Sequence, residues 1–270
     1  MKYGMIAIDL DGTLLRNDKT ISDRNLQVLR KANECGLHAV ITTGRAWPGA
    51  KRFAAQLGLD NPVITSNGAM IVNPVTEEPI RNTILCPKDA CTILDMGRKR
   101  LTSQIIWSNN ILYGLPVDER LHDYGRRYGC MTPMPAPDRE VLLRQGISKI
   151  LWYDERETVN GWKQEVLATE FESVTVCTSE PCFLEFFNKK VSKAKAIETV
   201  GAMFGLTLSQ IAAVGDAGND IPMLRAAGLG VAMGNADEEV LAIADAVTGD
   251  NEHDGVADLV ERLLMDESSI

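Results

Sequence analysis

Ile6-Ala7-Ile8-Asp9-Leu10-Asp11-Gly12-Thr13-Leu14 is an apolar run that breaks into two acids, a glycine and a threonine. Met5 to Leu10 reads as a buried strand. In extended chain, residues i and i+2 share a face, so Asp9 and Asp11 are expected side by side at the strand's end. Gly12 permits a sharp exit. Adjacent carboxylates repel, and burying them calls for a cation or a shared proton. A capped turn would use one acid, not two.

Outward from this strand, the first 66 residues alternate strand and helix. Ser22 is placed to N-cap a helix with Asp23 in its first turn, Gly36 past its end, and Leu26, Leu29 and Ala32 on one face. Leu37 to Thr42 is a second strand, and Pro48 suits the first turn of the next helix. Pro62-Val63-Ile64-Thr65 is a third strand, leading into Ser66-Asn67-Gly68-Ala69. The last 80 residues repeat the style. A helix from Ser192 to Phe204 precedes the strand Ile211–Val214, which runs into Gly215-Asp216-Ala217-Gly218-Asn219-Asp220. Further strands are expected at Leu229–Met233 and Ala246–Thr248. Strands that are apolar throughout and alternate with helices argue a parallel sheet covered on both faces. Residues 84–186 differ: they hold Trp107, Trp152 and Trp162 and strands such as Lys149–Tyr153, and read as a separate α+β module. The expected fold is α/β, a doubly wound (Rossmann-like) parallel-sheet core of residues 1–83 and 187–270 with an α+β domain inserted at 84–186.

Hydrophobic residues make up 45% of the 270 and charged residues 24%, an ordinary soluble composition. A formal net charge of −9 disfavours nucleic acid and anionic membrane as partners. The six cysteines form no CxxC, and the Cys86–Cys91 and Cys177–Cys182 spacings have no nearby histidine pair, so they read as free, semi-buried thiols rather than a zinc site. The N-terminus has no signal-peptide pattern and no apolar segment approaches a bilayer span, which makes the cytoplasm the expected location. The expected assembly is a monomer or small homo-oligomer.

In doubly wound sheets, ligands bind beyond the carboxyl ends of the strands. Asp9 and Asp11, Thr43, and Asp216 to Asp220 all fall at such ends. Asn219 or Asp220 is expected to N-cap the helix that follows. Asp216 is then spare for a metal, and with Asp9 forms a hard, oxygen-only site that suits Mg²⁺. A phosphate would need donors: the Thr43 hydroxyl, the Gly44 N–H and the Lys193 ammonium offer them. Lys193 starts a helix, the less usual end for a cation. Taken alone, with Lys189, Lys190 and Lys195 nearby, it reads more readily as a surface lysine.

Asp9-x-Asp11-Gly12-Thr13, Thr43-Gly44-Arg45, Ser192-Lys193 and Gly215-Asp216-x-x-Asn219-Asp220 together resemble the four ordered motifs of the haloacid dehalogenase superfamily of phosphohydrolases. Ser66–Ala69, Met233-Gly234-Asn235-Ala236 and Asp254-Gly255-Val256-Ala257 resemble its Cof-type branch. The resemblance implies an Mg²⁺-dependent phosphatase of small phosphorylated metabolites, sugar phosphates foremost. Asp9 would be the nucleophile that forms an aspartyl-phosphate. Asp11 would protonate the leaving alkoxide and then activate water. The metal would be held by Asp9, the Asp11 backbone carbonyl and Asp216, with Asp220 in support. Leu10 (through its N–H), Thr43, Gly44, Lys193 and Asn219 would bind the phosphate. The insertion would be a cap that excludes water and selects the leaving group. Arg45, Trp47 and Asn67 are candidates for facing the substrate, with packing the alternative for Trp47 and a salt bridge for Arg45. A phosphosugar mutase on the same scaffold and a non-hydrolysing phosphometabolite-binding regulatory protein are the rival functions. The full set of Asp9, Asp11, Lys193 and Asp216 speaks against the second.

Overall fold

The computed structural model describes residues 2–128, 132–178 and 181–265. The chain opens with β1 (Met5–Ile8), α1 (Asp23–Glu34), β2 (His38–Ile41), α2 (Trp47–Leu57), β3 (Val63–Thr65), β4 (Met70–Val72) and β5 (Pro79–Asn82). It continues through α3 (Pro87–Arg100), β6 (Ser103–Ser108), β7 (Ile111–Leu115), α4 (Glu119–Tyr128), β8 (Met134–Pro135), α5 (Arg139–Gln145), β9 (Ile147–Tyr153), α6 (Arg156–Leu167), β10 (Val174–Cys177) and β11 (Phe183–Asn188). The last stretch is α7 (Lys193–Met203), β12 (Ile211–Gly215), α8 (Ile221–Ala226), β13 (Leu229–Ala232), α9 (Glu238–Leu241), β14 (Ala246–Val247) and α10 (Gly255–Met265). Met1–Gly44, Ala50–Arg81 and Ser192–Ile270 form one structural unit; Arg45–Gly49 and Asn82–Val191 form the other.

The first unit is built on a parallel sheet of order β14-β13-β12-β1-β2. From β1 the chain winds to β2 on one side, and later from β12 outward on the other. The winding reverses between β1 and β12, where Ile8 lies beside Val214. This is the topological switch point at which such sheets bind ligands. Met5, Ala7 and Ala213 pack against Ile197 and Val200 of α7 and Met223 and Leu224 of α8. Their neighbours Ile6, Ile8, Ala212 and Val214 point the other way and are equally buried. Burial on both faces is why these strands carry no polar alternation.

Local chemistry sets the helix ends. Ser22 caps α1 through its hydroxyl, which accepts from Asn25 N–H at 3.1 Å. The buried face of α1 is Asn25, Leu29 and Ala32, with Leu26 only half-buried. Asn25 takes the inner position because its Oδ1 accepts from Ala257 N–H at 2.9 Å, at the start of α10. The expected third strand also lands differently. β3 belongs to a separate three-stranded sheet of order β3-β4-β5, joined to the end of β2 by a Thr42–Ile64 bridge.

The second unit carries a six-stranded sheet of order β10-β11-β9-β6-β7-β8, antiparallel except for the β7–β8 pair. Ile106, Ile150, Trp152, Leu184 and Phe186 on one face pack against Ile93 and Leu94 of α3 and Val159 and Val166 of α6. Ile105, Trp107, Leu151 and Phe183 on the other pack with Leu121 and Tyr124 of α4. A buried ion pair, Lys149 to Glu185 at 2.8 Å, joins β9 to β11. The α/β fold expected from the sequence, a parallel core with an inserted α+β unit, is present. Cys35, Cys86, Cys91 and Cys177 are free thiols, and Cys130 lies outside the described residues. No described helix is long and apolar enough to cross a membrane.

Ser22→Ala removes the cap of α1 and leaves its first turn with an unsatisfied N–H. A loss of about 1 kcal/mol in unfolding free energy is expected, read as a lower urea midpoint at unchanged m-value.

Candidate active site

The backbone after β1 decides where its two acids go. Asp9 N–H donates to Val214 O at 3.1 Å, extending the parallel ladder by one residue. The chain then turns: Leu10 O accepts from Thr13 N–H (3.3 Å) and Leu15 N–H (2.8 Å), and Asp9 O accepts from Leu14 N–H (3.2 Å). Gly12 adopts φ +82°, and a side chain there would run into the Asp216 carboxylate. The strand therefore ends at Ile8, not Leu10, and the extended geometry that would align Asp9 with Asp11 is lost. Asp9 is 5% exposed and faces Lys193. Asp11 instead accepts from Lys19 Nζ at 2.9 Å, with its side chain 38% exposed. The carboxylates that converge are Asp9, Asp216 and Asp220, whose oxygens lie within 4.8 Å of one another.

Lys193 sits in their midst. It opens α7 behind the cap Ser192, whose hydroxyl accepts from Lys195 N–H at 3.1 Å. Its side chain is wholly buried, which removes the surface alternative. The ammonium donates to Asp9 Oδ1 at 2.5 Å, Asp220 Oδ1 at 2.5 Å and Thr42 O at 3.4 Å, a partner for each of its three protons. Burial opposes its charge, but Asp220 and Asp9 outweigh that and hold the ammonium above the usual lysine range. Burial likewise pushes Asp9 well above the carboxylate range against the pull of Lys193, and repulsion from Asp220 and Asp216 adds to it.

Asp216 follows β12, one residue past the partner of Ala232, and accepts from Thr13 Oγ1 at 2.7 Å. Burial first and repulsion from Asp220 push it up to about 6, with the Thr13 hydrogen bond opposing. Asp220 stands at the N-cap position of α8, but its side chain makes no capping hydrogen bond there. Its Oδ2 turns back to accept from the N–H groups of Asp216 (3.0 Å) and Ala217 (3.2 Å), while Oδ1 holds Lys193. With both oxygens engaged, Asp220 supports the cluster by fixing its two neighbours.

Thr43 is buried at the end of β2, and its carbonyl accepts from Asn67 N–H at 3.0 Å. Asn67, left-handed at φ +56°, lies over Gly44 and accepts through Oδ1 from Asn219 Nδ2 at 3.0 Å. Asn67 thus ties the Thr43-Gly44 loop to the Asp216–Asp220 loop. Leu10 is fully buried beside Asp9 in the chain. Arg45 and Trp47 fall in the second unit; Arg45 Nη1 donates to Gly49 O at 3.4 Å and Trp47 is buried. Sequence reasoning missed Lys19, the bond from Thr13 to Asp216, and Asn235, whose amide donates to Gly12 O at 2.8 Å. The Asp-Gly-Thr and Met-Gly-Asn-Ala motifs flagged the second and third positions without giving their partners.

Asp9, Asp216 and Asp220 set three carboxylates against one ammonium, an excess of negative charge in a buried space. An oxygen-only donor set with excess negative charge fits a hard divalent cation.

Residues 6–260 match the haloacid dehalogenase-like hydrolase family. The chain is 30% identical to phosphatase YwpJ of Bacillus subtilis, over 96% of this chain and 99% of that protein. It is also 30% identical to the 5-amino-6-(5-phospho-D-ribitylamino)uracil phosphatase YcsE of Bacillus subtilis, over 97% and 96%. A crystal structure of a haloacid dehalogenase-like hydrolase from Bacteroides thetaiotaomicron superposes with a TM-score of 0.87 at 28% identity, covering 97% of this chain and 99% of that one.

The raised Asp216 has a consequence for the metal-free protein. The folded state holds a proton that the unfolded chain releases between about pH 4 and about pH 6. Its contribution to stability is therefore most favourable below the ordinary carboxylate pKa and is lost as pH rises through about 6. Asp216→Asn is expected to stabilise the protein in EDTA near pH 8 by about 1–3 kcal/mol and to leave it nearly unchanged near pH 4. Chemical denaturation at the two pH values checks this; a variant less stable than wild type near pH 8 refutes it.

Proposed function

The chain belongs to the haloacid dehalogenase-like hydrolase family and is a phosphatase, and on that premise we propose that it hydrolyses phosphomonoesters of small metabolites, sugar and polyol phosphates foremost, with Mg²⁺ and through an aspartyl-phosphate. The observation that carries this reading is the buried Asp9–Lys193–Asp220 arrangement beside Asp216 at the switch point of the sheet. The substrate in the name of the Bacillus subtilis relative YcsE carries a ribityl phosphate, which supports the polyol-phosphate class.

In this mechanism an Asp9 carboxylate oxygen bonds to phosphorus as the bond to the leaving oxygen breaks. Lys193 orients Asp9 from Oδ1 and neutralises charge gathering on the phosphoryl oxygens. The Thr43 hydroxyl, the N–H groups of Gly44 and Leu10 and the Asn219 amide hold those oxygens. Asn67 fixes two of these donors relative to each other by bridging Gly44 and Asn219. Asp11 gives its proton to the leaving alkoxide, then takes one from the water that attacks the aspartyl-phosphate, releasing inorganic phosphate. Mg²⁺, held by Asp9, Asp216 and the Asp11 backbone carbonyl with Asp220 in support, would supply the positive charge that lets a carboxylate approach an anionic ester. What supports that division is that Asp9 lies within the acid cluster, while Asp11 is more exposed and paired with Lys19.

Phosphate release from p-nitrophenyl phosphate with Mg²⁺ is expected and should vanish in EDTA. Asp9→Asn should lose about a thousandfold or more in kcat while keeping wild-type circular dichroism. Turnover within an order of magnitude of wild type would remove Asp9 as nucleophile. Ranking phosphorylated metabolites by kcat/KM tests the substrate class, and a preference for phosphates that lack a sugar or polyol overturns it.

A further inference from the structure

We propose that Lys19 is a positioning residue that fixes the Asp11 carboxyl group, an inference resting on the reading of Asp11 as proton donor and acceptor. Lys19 occupies a tight turn in which its N–H donates to Arg16 O at 2.9 Å and Thr20 O accepts from Arg16 N–H at 3.0 Å. Asp18 closes the turn, Oδ1 accepting from Thr20 N–H (3.0 Å) and Thr20 Oγ1 (2.6 Å). Lys19 itself has φ +63°. That left-handed conformation suits glycine or asparagine and costs other residues on the order of 1 kcal/mol. From this turn the ammonium reaches back to Asp11 Oδ1 at 2.9 Å.

The turn is anchored from the far end of the chain. Asn251 Nδ2 donates to Leu15 O at 2.9 Å, Glu252 Oε1 accepts from Asn17 N–H at 2.7 Å, and Arg16 pairs with Asp254 at 3.2 Å. Asn235, whose Oδ1 accepts from Asn251 N–H at 3.0 Å, holds Gly12 O. The backbone that follows Asp11 is thereby gripped, and Lys19 holds the Asp11 side chain from within that anchored stretch. Stability does not account for the arrangement: with side chains 49% and 38% exposed, such a pair contributes about 0–1 kcal/mol, no more than the left-handed backbone costs. The positioning role rests on the left-handed backbone at Lys19 together with its ion pair to Asp11.

The test is leaving-group dependence of kcat/KM, which covers the steps up to formation of the phosphoenzyme. Lys19→Gln should lower kcat/KM on an alkyl ester such as glycerol phosphate about tenfold, a fraction of what a positioned general acid supplies. On p-nitrophenyl phosphate, whose phenolate departs without a proton, the loss should stay within about twofold. Lys19→Arg should restore most of the alkyl-ester activity, and Lys19→Gln should cost nothing further in an Asp11→Asn background. Equal losses on both esters, no loss on either, or failure of arginine to rescue overturns the role of Lys19. Asp11→Asn, run alongside, separates the two ideas. A larger alkyl-specific loss there with none in Lys19→Gln refutes Lys19 alone. No alkyl-specific loss in Asp11→Asn removes the acid–base reading and this inference with it.

Discussion

The ammonium of Lys193 is the charge around which the first unit is arranged. Taking an ammonium fully out of water costs several kcal/mol unless its protons find acceptors and its charge finds partners. Two carboxylates answer that demand from opposite ends of the chain, Asp9 after β1 and Asp220 before α8, each at 2.5 Å. Both must be present, so β1 and β12 must be adjacent and α7 must begin where their carboxyl ends open. Gly68, left-handed and too close to Ser192 O to carry a side chain, lets the Ser66–Ala69 loop press against that same helix start.

The two units each bury a lysine, and the contrast shows what the site is for. In the second unit Lys149 pairs with the Glu185 carboxylate inside a sheet face. In the first, Lys193 meets an acid cluster that outnumbers it. A structural ion pair gains nothing from such an excess; a site that receives a cation and an anionic ester does. Burial first, and then repulsion within the cluster, displaces Asp9 and Asp216 upward.

Much of this was legible in the residues. Apolar runs ending in Asp9, Thr43 and Asp216 identify strand ends of a parallel sheet, and helix caps such as Ser22 and Ser192 are local chemistry. What escaped were choices made after the backbone turned. The i, i+2 rule holds only in extended chain, and the turn closed by Thr13 N–H on Leu10 O takes Asp11 out of that geometry. Asp220 has the composition of a helix cap, but its carboxylate turns backward because the N–H groups of Asp216 and Ala217 are nearer partners. Thr13, Lys19 and Asn235 act through single contacts that leave no periodic trace in sequence. Lys193 was ambiguous among neighbouring lysines, because burial belongs to the fold and not to the residue.

The strand order β14-β13-β12-β1-β2 also has a meaning in time. β1 precedes its neighbour β12 by roughly 200 residues, so a ribosome working at about 5–20 residues per second takes roughly 10–40 s between them. During that interval β1 can pair with β2 alone, and its other edge, lined by fully apolar residues, has no partner. The second unit, encoded wholly within the gap, completes its own sheet first. An edge that the finished protein hides at its centre is therefore the one the nascent chain exposes longest, which places its hazard of misassembly in synthesis rather than in the folded state.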